Sequence, residues 1–323
     1  MIGFAHRVLA RIPLAEVAVR QLYWRVPLAR RAAQKLASMK GGKAKAPPAP
    51  QPRLSLADLI ELLGRLGIGA DDMLIVHAGS IVVEATGETP RAINTALRAL
   101  LGPKGTLAMP GFPTFRSEPS MADQIAGGAA LPVHDYDPAR TPLWTGLLAM
   151  DLLRTPGAVR SSFPINPLIA IGADVPAMFA AEWDAALPTA CGGGSGWEYA
   201  VARGAKILML GVDVAHSLTL NHHAEDAYPD SWPIAGWYRE RIYRVRVDGT
   251  WSERRVLERD PRWALHYAER ALNQAMTENG HMQQVTIGGL TVSLIDARAH
   301  IAFLNTQKSA AFPYFGISRR HRK

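Results

Sequence analysis

The sequence contains a single cysteine, Cys191, which excludes an internal disulfide framework and any multi-cysteine zinc site. It has no apolar stretch approaching the ~18 residues that a membrane-spanning helix requires. Arg7, Arg11, Arg20 and Arg25 interrupt the N-terminal region at regular intervals, so no signal peptide is expected. No internal repeat is present. Acid is scarce in one place only. Residues 1–53 hold eleven of the 36 Lys and Arg but a single acid, Glu16, of the 28 Asp and Glu, so this segment carries +10 and the remaining chain −2. The high isoelectric point therefore belongs to the N-terminal segment, and the body is not that of a nucleic-acid binder. A cytoplasmic location is the expectation these absences leave.

What is present is ordinary for a globular domain: 48% apolar and 20% charged residues over 323 positions. Three parts are expected. Residues 1–39 read as a basic, amphipathic helical extension interrupted at Pro13 and Pro27. Residues 40–53, rich in Gly, Lys and Pro, read as a solvated linker. Residues 54–323 form the main domain, with a smaller α+β subdomain at about 229–300. The extension has two readings: peripheral contact with an anionic membrane face through residues 1–40, or a helix packed on the body or on a second copy in a homodimer.

Within the body, Ser55 is placed to cap a helix closed by Gly67. Met73–Val76, Gly105–Pro110 and 206–212 read as buried strands, and 89–101, 144–154 and 174–182 as helices. A hairpin is expected to turn at Asp248-Gly249, followed by a helix over about 261–278 and a small strand pair around 285–295. Strands alternating with helices predict an α/β fold.

The densest polar cluster, His216 to Asp226, follows the 206–212 strand, and active sites of α/β folds sit beyond the carboxyl ends of strands. On a helix, Thr219, His222 and Glu225 or Asp226 would share one face. A carboxylate one turn from an imidazole can fix its tautomer and raise its basicity, as a general base requires. Two other chemistries use the same residues. His216, His222, His223, Glu225 and Asp226 could gather a metal, although the spacing is not His-Glu-x-x-His. Cys191 could act as a nucleophile activated by His222. The Gly192–Gly194 run lacks the Lys-Ser/Thr ending of a phosphate-binding loop and reads as a turn lining the site.

Five segments in order resemble the aminoglycoside 3-N-acetyltransferase family. They are Asp72–Ser80 (its Gly-Asp-x-Leu-x-Val-His-Ser-Ser), Gly102–Pro110 (Gly-x-x-Gly-Thr-Leu-x-Met-Pro), Tyr136–Pro142 (Phe-Asp-Pro-x-x-Thr-Pro), Pro156–Ser161 (Pro-Gly-Ala-x-Arg-Ser) and Thr219-x-x-His222-x-x-Glu225. The resemblance covers about residues 55–230. It implies a three-layer αβα sandwich with a mixed, largely parallel central sheet, acetyl-CoA as co-substrate, no metal, and direct transfer to the amine of an amino sugar. It implies His222 as catalytic base with Glu225 and Thr219, CoA contacts at His77, Ala78, Gly79, Ser80, Arg160 and Ser161, and backbone N–H groups near Gly79 or Ser80 as oxyanion donors. Asp137 and Asp226, with Asp213 and Asp230 nearby, are the expected acceptor-facing acids. The sequence departs from the family where Phe163 and Asn166 stand in place of two histidines, and where Ser195-Gly196 replaces Ser-Pro. Those departures leave open whether the acceptor is an aminoglycoside or a glycan-precursor amino sugar, and whether the chain is instead a degraded scaffold that binds CoA or sugar.

Overall fold

A computed structural model describes residues 8–41 and 54–323. Its centre is a seven-stranded sheet in the order β4-β5-β2-β1-β6-β10-β9. The strands are β1 (Met73–Ala78), β2 (Thr106–Pro110), β4 (Val159–Arg160), β5 (Leu168–Gly172), β6 (Lys206–Leu210), β9 (Gln283–Ile287) and β10 (Leu290–Asp296). In this sheet only β1 pairs in parallel, with β2 and β6, and its other pairings are antiparallel. Five of the seven strands nonetheless point the same way, with β5 and β10 reversed. A second sheet joins β3 (His134–Tyr136) to the hairpin of β7 (Tyr238–Val247) and β8 (Thr250–Arg259).

Side-chain alternation along the central strands separates two apolar layers. Leu74 and Val76 of β1, with Leu208 and Leu210 of β6, face helices Leu56–Arg65, Pro90–Leu101 and Leu147–Leu153. Met73, Ile75, Ile207 and Met209 face the opposite layer, which contains Trp197, Leu218, Leu220 and Ile301. His77 follows that second alternation and lies 6.3 Å from the Trp197 ring.

Local chemistry explains the first layer. Ser55 accepts from Asp58 N at 3.0 Å and Thr89 from Ala92 N at 3.1 Å, each satisfying a helix-start donor. Ile93, Leu97 and Leu101 recur every fourth residue and are fully buried. Asn94 ties this helix to the next through Leu148 O at 3.0 Å and Asp151 at 2.9 Å.

The helical extension is interrupted at Pro13 and Pro27 as read, with breaks at Ile12 and Val26 and each proline opening a new helix, Pro13–Arg25 and Pro27–Gly41, at the position where a missing N–H costs nothing. Other boundaries shift. The helix continues to Gly41, and the rest of the expected linker lies outside the described residues. The 174–182 helix stops at Met178, because the chain turns to carry Glu182 beneath Ser161 and Ser162. The 261–278 segment divides into a 3-10 turn, Pro261–His266, and a helix, Glu269–Glu278. Tyr267, at the break, bridges to Tyr314. The expected 229–300 subdomain is also divided. Residues 238–259 build the small sheet, whereas 283–296 return to the edge of the large one.

Candidate active site

The loop after β6 leads through a short helix, Val214–Ser217, to the helix Asn221–Asp226. Six residues are too few to be stable alone, so tertiary contacts must hold this helix. They come from four distant segments. Asn221 donates to the Tyr267 hydroxyl at 2.9 Å and accepts from His300 Nε2 at 2.6 Å. His223 Nδ1 donates to Cys191 O at 2.6 Å. Asp226 accepts from Cys191 N at 3.0 Å, Tyr238 Oη at 2.7 Å and Arg259 Nη1 at 2.7 Å. The glycine after Cys191 makes this approach feasible, since a Cβ at Gly192 would overlap the Asp226 carbonyl and the Thr189 hydroxyl.

Glu225 is the centre of a second set of contacts. Its carboxylate accepts from His222 Nδ1 at 3.0 Å and from Tyr314 Oη at 2.5 Å, and Arg259 Nε lies 3.4 Å away. Burial alone would raise its pKa, but the His222 imidazole, Arg259 and the Tyr314 hydroxyl outweigh it and hold the carboxyl below the usual range. Tyr314 is itself pushed well above its ordinary value, by burial first and by Glu225 second, and so remains a donor. With Nδ1 engaged by Glu225, the lone pair of a neutral His222 sits on Nε2.

His222 is the partly exposed member of this group. With Thr219 and Asp226 it lines a cleft of about 670 Å³. The opposite walls come from the hairpin (Arg239, Glu258, Arg259), from the Phe112–Gln124 segment and from Arg20 of the Pro13–Arg25 helix. Thr219 is not on the helix with His222 as the spacing suggested. It lies in the turn before Asn221, and its backbone O accepts from His222 N at 3.0 Å. Asp226 faces Tyr238, Arg259 and Cys191, and Arg259 also reaches Glu225, so the two carboxylates share one arginine beside His222.

The remaining sequence candidates do not converge on this cleft. His77 is buried, its Nε2 has no hydrogen-bond partner among the described residues, and burial lowers its pKa to about 4. Ala78, Gly79 and Ser80 emerge at the end of β1. The Gly79 N–H already donates to Leu210 O at 2.9 Å, so it is not free to serve as an oxyanion donor. Arg160 is buried beside Tyr136, with Nη1 on Thr141 O at 2.7 Å and its other two nitrogens without a hydrogen-bond partner among the described residues. Ser161 is buried against Glu182. Asp137 caps its own turn through Ala139 N at 2.9 Å and pairs with Arg246 at 3.0 Å. The β1 end nevertheless runs close to the cleft: Gly146 packs on Ala78 O, and Trp144 lies 5.8 Å from Phe112, which lines the cleft.

Tyr314, Arg259, Tyr238 and His300 were not visible as site residues in the sequence. They lie far from His222 along the chain, and no local spacing marks them. Cys191 is fully buried and burial pushes its thiol up, which opposes a nucleophilic role. Among the described residues no group of His, Cys, Asp and Glu is placed to hold a metal; the side chain of His216 lies outside them.

A mixed sheet between helical layers, with a buried carboxylate hydrogen-bonded to a histidine that lines a cleft, defines an α/β protein with a histidine–carboxylate pair as its candidate site. The chain belongs to the aminoglycoside 3-N-acetyltransferase family, whose sequence model matches residues 75–307. It is 31% identical over 175 residues to aminoglycoside N(3)-acetyltransferase III of a Salmonella species, covering 52% of this chain and 58% of that protein. It is 32% identical over 169 residues to aminoglycoside N(3)-acetyltransferase VII of Streptomyces paromomycinus, covering 50% and 57%. The chain thus spans less than two thirds of the curated relatives it matches. The fold of AAC-IIIb, solved as a binary complex with CoASH, superposes with a TM-score of 0.63 at 26% identity, over 82% of this chain and 99% of that one. AAC(3)-IVa, solved as the apoenzyme, gives a TM-score of 0.64 at 22% identity, over 85% and 96%.

Proposed function

We propose that the chain is an acyl-CoA-dependent N-acyltransferase, with acetyl-CoA as donor and the amine of an amino sugar as acceptor. The observation that carries this reading is the hydrogen-bonded series Tyr314–Glu225–His222, which ends in a partly exposed imidazole on the cleft. In this mechanism His222 Nε2 takes a proton from the acceptor ammonium. The freed amine attacks the thioester carbonyl, the C–S bond breaks, the leaving thiolate takes the proton from the imidazolium, and the regenerated imidazole passes the remaining extra proton of the new amide nitrogen to solvent. Glu225 fixes the imidazole tautomer and stabilises its charged form, while Thr219 and Asp226 shape the wall beside it. The acyl-CoA arm enters along Ala78–Ser80, past Gly146 and the Trp144–Phe112 pair. Family membership and the CoA complex of a similar fold support the donor assignment.

The acceptor reading follows from charge. Five carboxylates line the cleft, and each is already matched: Glu118 with Arg241 at 3.1 Å, Asp226 with Arg259 at 2.7 Å, Glu258 with Arg239 at 2.6 Å, Asp260 with Arg262 at 2.5 Å and Glu269 with Arg20 at 2.8 Å. A polycationic drug gains most where carboxylates are unmatched. The balanced cleft therefore favours an amino sugar of low positive charge, such as a glycan precursor, while the named activities of the relatives favour an aminoglycoside.

Thiol release from acetyl-CoA with a panel of mono-amino sugars and aminoglycosides tests both parts. His222→Ala should lower turnover by about 10²- to 10⁴-fold and, with one hydrogen bond to buried Glu225 lost, lower the thermal midpoint by a few degrees while the protein stays folded. A folded His222→Ala protein with full turnover would remove the base assignment. CoA binding with no thiol release from any acceptor would instead favour a binding scaffold.

A further inference from the structure

Surface helices of globular proteins turn their apolar stripe to the core and their charges to water. The Pro13–Arg25 helix does the reverse. Toward the body it presents Glu16, Val17 and Arg20. Glu16 is 2% exposed and accepts from Arg270, at 3.2 Å from the backbone N and 2.7 Å from Nη1. Arg20 Nη2 lies 2.8 Å from Glu269. Away from the body, Ala18, Leu22 and Val26 succeed one another at four-residue spacing, with Val19 beside them and Leu14, which lies next to Gly316, at the edge of the stripe. Leu14 and Leu22 are 59% and 56% exposed, and Leu28, opening the next helix, is 74% exposed. Seven of the seventeen exposed large apolar side chains among the described residues fall between Val8 and Leu28. The stripe cannot roll inward without breaking the two ion pairs on the other side.

We propose that this face docks on an anionic lipid surface, with its leucines and valines entering the headgroup–acyl boundary. Exposed Arg11, Arg25 and Arg31 flank the stripe, and the segment 1–53 as a whole carries +10 against −2 for the rest of the chain. An anionic leaflet meets both the apolar and the basic character of this face. A second copy of the chain meets only the apolar part, because it would bring one strongly basic segment against another. The inner side of the same helix supplies Arg20 to the cleft wall, so docking would place the cleft next to the lipid surface.

Co-sedimentation of the full chain with vesicles tests this independently of any enzymatic activity. The chain should bind phosphatidylcholine–phosphatidylglycerol vesicles and not phosphatidylcholine alone, with affinity falling about tenfold or more in high salt. The double variant Val19→Asp/Leu22→Asp should bind about tenfold more weakly, and so should Leu28→Asp, with unfolding midpoints equal to the parent's because these side chains are mostly in water. No retention on anionic vesicles, or equal retention of parent and variants, would overturn the proposal. So would a dimer in light scattering that the double variant converts to a monomer, since the face would then be self-associating.

Discussion

Replacing Tyr314 by Phe removes one hydroxyl from a buried carboxylate 89 residues away and changes little else in shape. A hydrogen bond to a charged group is worth about 1.5–3 kcal/mol, so stability at neutral pH should fall by about 2 kcal/mol. For a domain of this size that corresponds to a thermal midpoint lowered by about 3–6 °C. The loss should depend on pH in a defined sense. Glu225 is held below the usual carboxylate range, so its contribution is complete above the ordinary carboxylate pKa and disappears as pH falls through the lowered value. The gap between Tyr314→Phe and parent should therefore be widest near neutrality and narrow below about pH 4. Turnover should fall as well, by about tenfold, because a less firmly held Glu225 positions the imidazole less well, while the KM for acceptor should move little. Thermal unfolding across pH and thiol-release kinetics measure the two effects. A Tyr314→Phe protein with the parent's midpoint at pH 7 and the parent's turnover would refute the positioning chain.

Two further outcomes follow from the same geometry. Cys191→Ala should retain acyl transfer, since both polar contacts of that residue with the site helix are made by its backbone; the native thiol should also resist a thiol-specific reagent until the protein unfolds. Loss of all activity in a folded Cys191→Ala protein would restore the acyl-enzyme route. His300, buried against Asn221, has its pKa lowered by burial to about 3, and His77 to about 4. Each is neutral in the folded state while the unfolded chain binds a proton below about pH 6.5, so stability falls with acidification from about 6.5 toward the folded value. His300→Gln, which keeps an N–H donor, should flatten the urea-derived stability profile by up to about 1.4 kcal/mol per pH unit between pH 6 and 4. Parallel profiles would count against this account.

Much of the central sheet, its flanking helices and the hairpin of the small sheet could be read in advance because their determinants are local. Met73–Val76 and 206–210 are apolar runs, Ser55 and Thr89 are caps placed one residue before periodic segments, and Asp248-Gly249 forms the hairpin turn. The His222–Glu225 contact was legible for the same reason, being a three-residue separation within one helix. Thr219 was misplaced because periodicity does not reveal where a six-residue helix begins when distant contacts set its start. Arg259 and Tyr314 could not be seen at all. Their partners are defined by the hairpin register and by the pairing of Tyr267 with Tyr314, neither of which has a sequence period. Arg160 and Ser161 show the converse: motif residues whose burial ties them to Thr141 and Glu182 rather than to the cleft.

The contacts that fix Glu225 and the Pro13–Arg25 helix span 89 and 254 residues along the chain. Contacts of such separation form late, because the entropy of closing long loops must be overcome before they return any stability. The large sheet obeys the same constraint, since Leu74 of β1 pairs with Lys206 of β6, so sheet and site close together rather than in sequence. Refolding followed by far-UV signal should therefore run in step with recovered catalysis, and a nascent chain would remain inactive until the segment carrying Tyr314 had docked. On this view competence for chemistry cannot precede the complete fold, and is a record of successful folding rather than a by-product of it.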